Sequence, residues 1–343
     1  MGEAGLVAED GYELSCLEIC AGAGGQSRGL ELAGFGHELT VEIDADACST
    51  LQLNRPQWKI HQGDVREVSG RRYRGIDLLA GGVPCPPFSV AGRQLGPDDE
   101  RDLFPEALRL VAEARPRAVM LENVRGLSGE RFLSYRSAIQ SRLDALGYWS
   151  GWKVLNSSDF GIPQLRPRFI LVALKRRDAK RFHWPEGSGP KQTVGQLLYP
   201  EMSRDGWRHA RFWADRRANG VGPTIVGGSR KHGGPDLGPT RARAAWRELG
   251  VDGGGIADDV PSRHDPKHHD PRLTLGMVAA LQGFEDDWLF HGRKTAAYRQ
   301  IGNAFPPPVA EAVGSAIACA IGAIGATKRR GLADPFGAAA RTA

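Results

Sequence analysis

Leu17-Glu18-Ile19-Cys20-Ala21-Gly22-Ala23-Gly24-Gly25 is the stretch that decides the fold. An apolar run leads into a glycine-rich turn and then into a helical pattern at 26–33, the opening of a doubly wound α/β domain. Glycines there let the backbone approach a ligand closely, and the following helix N-terminus favours a negatively charged group. The second apolar run ends at Glu42, about twenty residues on, where such folds carry an acid that accepts ribose hydroxyls. Asp64, in Gly63-Asp64-Val65, closes the third run and is placed to accept from an adenine amino group. Together these read as a nucleoside-cofactor site, with NAD and S-adenosylmethionine both open at this point.

Working outward, short apolar runs at 14–20, 38–43, 59–62, 76–80, 118–122 and 169–174 alternate with helical patterns at 26–33, 45–53, 103–114 and 130–146. That alternation predicts a doubly wound, mostly parallel sheet. From 176 to 271 the chain turns rich in Arg, Gly, Pro and His and loses apolar periodicity, which predicts a smaller, loop-rich lobe. Regular structure is expected again over 272–325, returning to the first domain. Residues 1–11 are read as an extension and 326–343 as a disordered Ala/Gly/Arg tail.

The 343 residues carry a net charge of +5, 41% hydrophobic and 25% charged residues, the balance of a globular protein that tolerates nucleic acid as a partner. The five cysteines are scattered, with neither CxxC pairs nor zinc spacing, so no disulfide framework is expected. The run from His264 to Asp270 reads as a solvated loop, and no metal is expected. The start Met1-Gly2-Glu3-Ala4-Gly5 lacks a secretory pattern, and the apolar stretch 313–326 is too short for a membrane span. These point to the cytoplasm, a reducing compartment that suits a catalytic thiol.

Such a thiol stands in Gly81-Gly82-Val83-Pro84-Cys85-Pro86-Pro87-Phe88-Ser89, directly after the fourth apolar run. A cysteine between glycine and proline at a strand's carboxyl end is badly placed for packing and well placed to be presented at the mouth of the sheet. Hydride transfer needs no thiol there, so the cysteine favours a methyl donor and a pyrimidine substrate. Cytosine C5 is not nucleophilic until a nucleophile adds at C6, and an acid at N3 helps that addition. Glu122, in Leu121-Glu122-Asn123-Val124, stands where that acid is required. Arg166 and Arg168, in Gln164-Leu165-Arg166-Pro167-Arg168, offer forked donors for the base O2 and a neighbouring phosphate. Amino-methylating enzymes use a related Pro-Pro-aromatic motif, but Cys85 replaces the hydrogen-bond acceptor that an exocyclic amine needs.

At this constellation the chain resembles the DNA cytosine-C5 methyltransferase family, of the bacterial restriction-modification type. Residues 17–25 look like its cofactor loop, Pro84-Cys85 like its nucleophile motif, Glu122-Asn123-Val124 like its acid motif, and 156–168 like its arginine motif. Arg272-Leu273-Thr274 through Gln282-Gly283-Phe284, and Gln300-Ile301-Gly302-Asn303-Ala304, resemble the closing motifs. The resemblance implies chemistry by Cys85, Glu122, Arg166 and Arg168. It also implies an S-adenosylmethionine site at Cys20, Ala21, Gly22, Gly24, Gly25, Glu42, Ile43, Asp64, Val65, Pro84, Leu103, Asn303 and Ala304. Double-stranded DNA would meet Ser89, Gln164, Arg230, Lys231, Arg241 and Arg243, with the arginines reading guanine or touching phosphate only. A monomer, and a cognate restriction endonuclease acting separately, are implied as well. Two departures stand out: Pro86 follows the nucleophile where glutamine is common, and Cys20 replaces an aromatic residue that packs on the cofactor. A tRNA cytosine methyltransferase, a catalytically silent DNA-binding protein and, last, a dehydrogenase stay open as alternatives.

Overall fold

A computed structural model describes residues 14–84, 102–228 and 234–322. Cys85, Ser89, Arg230 and Lys231 lie outside the described residues.

Strand β1 (Leu14–Ile19) is buried along its whole length, as its apolar sequence requires. It is followed by α1 (Gly25–Leu32), β2 (Phe35–Glu42), α2 (Ala45–Asn54), β3 (Ile60–Gln62), β4 (Leu78–Gly81), α3 (Phe104–Ala114) and β5 (Ala118–Val124). Then come α4 (Leu133–Ala145) and the strands β6 (Tyr148–Asn156) and β7 (Pro167–Lys175). The seven strands lie in the order β3-β2-β1-β4-β5-β7-β6. The five strands from β3 to β5 are parallel, and β7 runs antiparallel to both β5 and β6. The chain therefore reverses direction of travel at β1/β4, where open α/β sheets bind their ligands beyond the strand carboxyl ends. The antiparallel β7 has a chemical consequence: its first residues, not its last, lie beside the carboxyl end of β5, with Arg168 opposite Val124 and Ile170 opposite Glu122.

Alternation along the central strands divides the core into two layers. Leu17, Ile19, Leu79, Val119 and Leu121 face α3 and α4, whereas Cys16, Leu78, Ala80, Ala118 and Met120 face the last helix, α9 (Pro307–Ala320). Glycine is required where α1 meets α9, since a Cβ at Gly29 would sit 2.3 Å from the Pro307 carbonyl oxygen. Sequence reading located six of the seven strands and missed β6. This edge strand is half exposed and mixes Trp149, Ser150, Gly151 and Lys153, so it presents no apolar run.

The lobe is less loop-rich than its composition suggests. It contains α5 (Val194–Ser203), capped by a reciprocal Thr193/Gln196 box, a short helical stretch at 210–217, and α6 (Thr240–Glu248). Periodicity failed as a guide because a few large side chains, Trp207, Trp213 and Trp246, fill its centre. That core runs on into α7 (Leu275–Leu281) and α8 (Lys294–Asn303) through Met277, Tyr298 and Ile301, and reaches Leu51 and Trp58 of the first domain. Residues on both sides of position 272 share this one core. Among the described residues, no helix is long and apolar enough to cross a membrane.

Candidate active site

The turn after β1 is built on left-handed backbone: Cys20, Gly22 and Gly24 have φ of 52°, 57° and 86°. Glycine is the inexpensive residue for such angles, and Cys20 is there at a conformational cost. Glu42, at the end of β2, holds the turn. Its Oε2 accepts from the Gly22 N–H at 2.7 Å, and its Oε1 accepts from Ile43 and Asp44 N–H at 2.8 Å each. Burial raises the Glu42 carboxyl above its ordinary range, although the three N–H donors oppose the shift. Ile43 beside it is 69% exposed, an apolar side chain laid open at the mouth of the sheet. Asp64 caps the short helical turn after β3 and pairs with Arg66 at 2.8 Å, while Val65 is buried behind it.

Two aromatic residues complete the turn's outer wall. Trp288 donates from Nε1 to the Ala23 carbonyl at 3.1 Å and occupies the space a Gly24 Cβ would need, 2.7 Å from that position. A Cβ at Gly25 would lie 2.3 Å from the Phe305 carbonyl oxygen, 3.1 Å from Ala304 Cβ and 3.2 Å from Phe284. Ala304 thus reaches the turn. Trp288 and the wall role of Phe284 were not read from sequence; the only signal was a tryptophan in an acidic loop, Glu285-Asp286-Asp287-Trp288. Beneath the turn, Glu18 is fully buried and accepts from Gln26 Nε2 at 3.2 Å, and it lies 2.8 Å from His37 Nε2.

The second half of the site lies at the ends of β4 and β5. Arg168 Nε meets Glu122 Oε1 at 2.8 Å, with both side chains largely buried. Burial raises the Glu122 carboxyl, and Arg168 and Arg166 pull it back in part. Asn123 donates from Nδ2 to the Val83 carbonyl at 2.8 Å, fixing the chain two residues ahead of Cys85. The Leu103 N–H donates to the Pro84 carbonyl at 3.3 Å, so both ends of the segment carrying Cys85 are anchored together. A Cβ built on Gly82 would stand 3.5 Å from the Cys20 carbonyl oxygen and 3.5 Å from Glu122 Oε2. The glycine turn, the end of β4 and the Glu122 carboxyl therefore converge on one point.

Three expectations are corrected. Arg166 does not face the cleft: it is 1% exposed and donates to the carbonyls of Ile225 (2.6 Å), Gly302 (2.7 Å) and Ala304 (2.9 Å). Gln164, expected at DNA, is 0% exposed; its Oε1 accepts from Ile225 N–H at 3.0 Å and its Nε2 donates to the Leu281 carbonyl at 2.6 Å. Both point inward because the segment 164–165 pairs with 222–223 of the lobe, so alternate side chains are sealed beneath that joint. Asn303 turns to the lobe rather than the glycine turn, donating to the Gly228 carbonyl at 3.1 Å. Arg241 and Arg243, expected at DNA, lie in the first turn of α6, the former exposed and the latter half-buried against Gly253.

A β3-β2-β1-β4-β5-β7-β6 sheet with a glycine turn after β1 and an acid ending β2 is the S-adenosylmethionine-dependent methyltransferase fold. The sequence matches the C-5 cytosine-specific DNA methylase family over residues 14–319, and the chain belongs to that family. It is 56% identical over 312 residues to the Type II methyltransferase M.NaeI of Lentzea aerocolonigenes, covering 90% of this chain and 75% of that one. It is 51% identical over 328 residues to the Type II methyltransferase M.NgoMIV of Neisseria gonorrhoeae, covering 89% and 97%. Among solved structures, Spodoptera frugiperda DNMT2 superimposes with a TM-score of 0.64 at 14% identity, over 89% of this chain and 99% of that chain; at that identity the likeness shows the fold alone. The enzyme is a DNA (cytosine-5-)-methyltransferase of the bacterial restriction-modification type.

Proposed function

We propose that the enzyme methylates C5 of a cytosine swung out of duplex DNA, through a bond between Cys85 and C6, with S-adenosylmethionine as donor. What carries this reading is the Glu122–Arg168 pair beside Gly82, three residues ahead of the thiol. The residues around the glycine turn fit an adenosyl group: a buried carboxylate at Glu42, the bare apolar face of Ile43, and Asp64 beyond it. Open space around the Gly22 Cα on its side-chain side agrees with this. When bound, the cofactor supplies an electrophilic sulfonium methyl; everything else falls to the chain.

A base inside the stack is beyond the reach of a thiol on an anchored segment, so the cytosine must leave the helix. Cys85 adds as thiolate to C6 while Glu122 delivers a proton to N3. Burial, which raises the Glu122 carboxyl above its ordinary range, favours the protonated form that this step needs. Arg168, fixed by Glu122, keeps further guanidinium donors for the base O2. Once C5 carries the methyl group that the bound cofactor would supply, the C5 proton leaves to solvent, the Cys85–C6 bond breaks and the N3 proton returns to Glu122, giving 5-methylcytosine with thiolate and acid restored. Domain limits at 12–175 and 272–325 for catalysis, and 176–271 for target reading by Arg230, Lys231, Arg241 and Arg243, belong to the same proposal. So do a monomeric state, a cytoplasmic location and a separate cognate endonuclease.

The test is methyl transfer from tritiated S-adenosylmethionine to duplex DNA and to tRNA, with wild type and Cys85→Ala. Label on duplex DNA, none with the variant, and undiminished cofactor binding are expected. Label on tRNA alone would replace the substrate, and near-wild-type turnover by Cys85→Ala would remove the covalent step. A stable adduct with DNA containing 5-fluorocytosine is the direct positive result.

A further inference from the structure

The end of the sheet opposite the cleft, where β4 and β5 begin and β7 ends, carries a cavity of about 470 Å³. Arg115, Arg117, Lys175, Arg176 and Arg177 line it, between turn glycines at 75 and 147. It is well removed from the cleft: Lys175 lies seven steps along β7 from Arg168, or about 23 Å at strand rise. No phosphate held near Arg168 can reach it.

The positive charge there is only partly neutralised. Asp77 pairs with Arg117 at 3.2 Å, Asp144 with Arg176, and Asp178 with Arg177 at 3.5 Å and with Arg181 at 2.6 Å. Among the described residues, neither Arg115 nor Lys175 has a carboxylate within ion-pair distance. Burial, with Arg115 and Arg177 close by, pulls the Lys175 ammonium below its ordinary value, and that ammonium sits 3.7 Å over the Tyr148 ring. The buried Nε of Arg117 has no hydrogen-bond acceptor. Arg115 stands in the left-handed region at φ 51°, ending α3, where glycine or asparagine would be less strained. Forked guanidiniums around an ammonium, with spare donors, match the oxygens of phosphate.

We propose that this cavity is a second phosphate-binding site, separate from the cleft. The phosphate comes either from the backbone of a DNA segment other than the one being methylated or from a free polyphosphate. The variant R115N/K175Q/R177Q tests it. Arg117 and Arg176 stay, asparagine tolerates the left-handed angle, and none of the three positions belongs to the cleft, so folding and turnover on a short duplex should be unchanged. Calorimetric titration of the full chain with inorganic pyrophosphate at low salt should show binding that weakens at least tenfold in the variant. No binding to wild type, or equal binding to both proteins, overturns the site. Where pyrophosphate binding is lost, anisotropy with a 30-base-pair duplex identifies the source. Weaker duplex binding, with a salt slope reduced by about 2–3 for the phosphate contacts removed, assigns the site to DNA backbone. Unchanged duplex binding assigns it to a free polyphosphate.

Discussion

Replacing Arg166 by alanine separates a structural guanidinium from a catalytic one. Its three bonds run to carbonyls in two different segments, Ile225 of the lobe and Gly302 and Ala304 beside the glycine turn. Truncation strands three buried acceptors, each worth about 1–3 kcal/mol, and relief from burying the cation returns part of that. A net loss of about 3–5 kcal/mol is expected, of the order seen when a buried ionic group is removed. Against a total stability of about 5–15 kcal/mol that is a third or more. Arg166→Lys should recover little, because one ammonium cannot serve carbonyls on both sides of the joint. Urea unfolding at 25 °C gives the difference, with Arg168→Ala as comparison: near the cleft, it should lose turnover with a smaller change in midpoint. If Arg166→Ala unfolds within about 0.5 kcal/mol of wild type yet fails to methylate, the guanidinium works in the cleft and the reasoning is wrong.

Glu122→Gln keeps the shape of the pair but has no proton to give, so kcat should fall about 10²–10⁴-fold with cofactor binding intact, measured by steady-state methyl transfer. The folded-state carboxyl of Glu122 is raised, so its protonated form is favoured on folding; that contribution is full below the unfolded-state value and lost as pH rises through the folded one. Urea midpoints at pH 5 and pH 8 should therefore shift in favour of Glu122→Gln, relative to wild type, at the higher pH. Trp288→Ala should cost about 3–5 kcal/mol and raise the apparent KM for the cofactor, whereas Trp288→Phe, losing the bond to Ala23 and part of the packing on Gly24, should cost less, about 1–3 kcal/mol. Ile43→Asp, at a 69% exposed position, should leave stability unchanged but weaken cofactor binding about tenfold by equilibrium dialysis, the value of one apolar contact.

The sequence alone determined what local chemistry can specify. A glycine turn after an apolar run, acids at set distances, and a cysteine in a run of glycine and proline mark a candidate site, and the sheet's parallel half follows from its buried apolar strands. Which side chains enter that site was decided by tertiary structure. Gln164 and Arg166 read as partners of Arg168 because polar side chains spaced two apart look equivalent along a chain. Only the pairing of 164–165 with 222–223 buries them and turns them into a clamp on Ile225. Trp288 reaches the glycine turn from 265 residues away, a contact that no periodicity carries. β6, on the edge, has one neighbour to satisfy and so bears a weak pattern. Local patterns record what a residue needs from its own backbone, and the remainder is set by which distant segment closes over it.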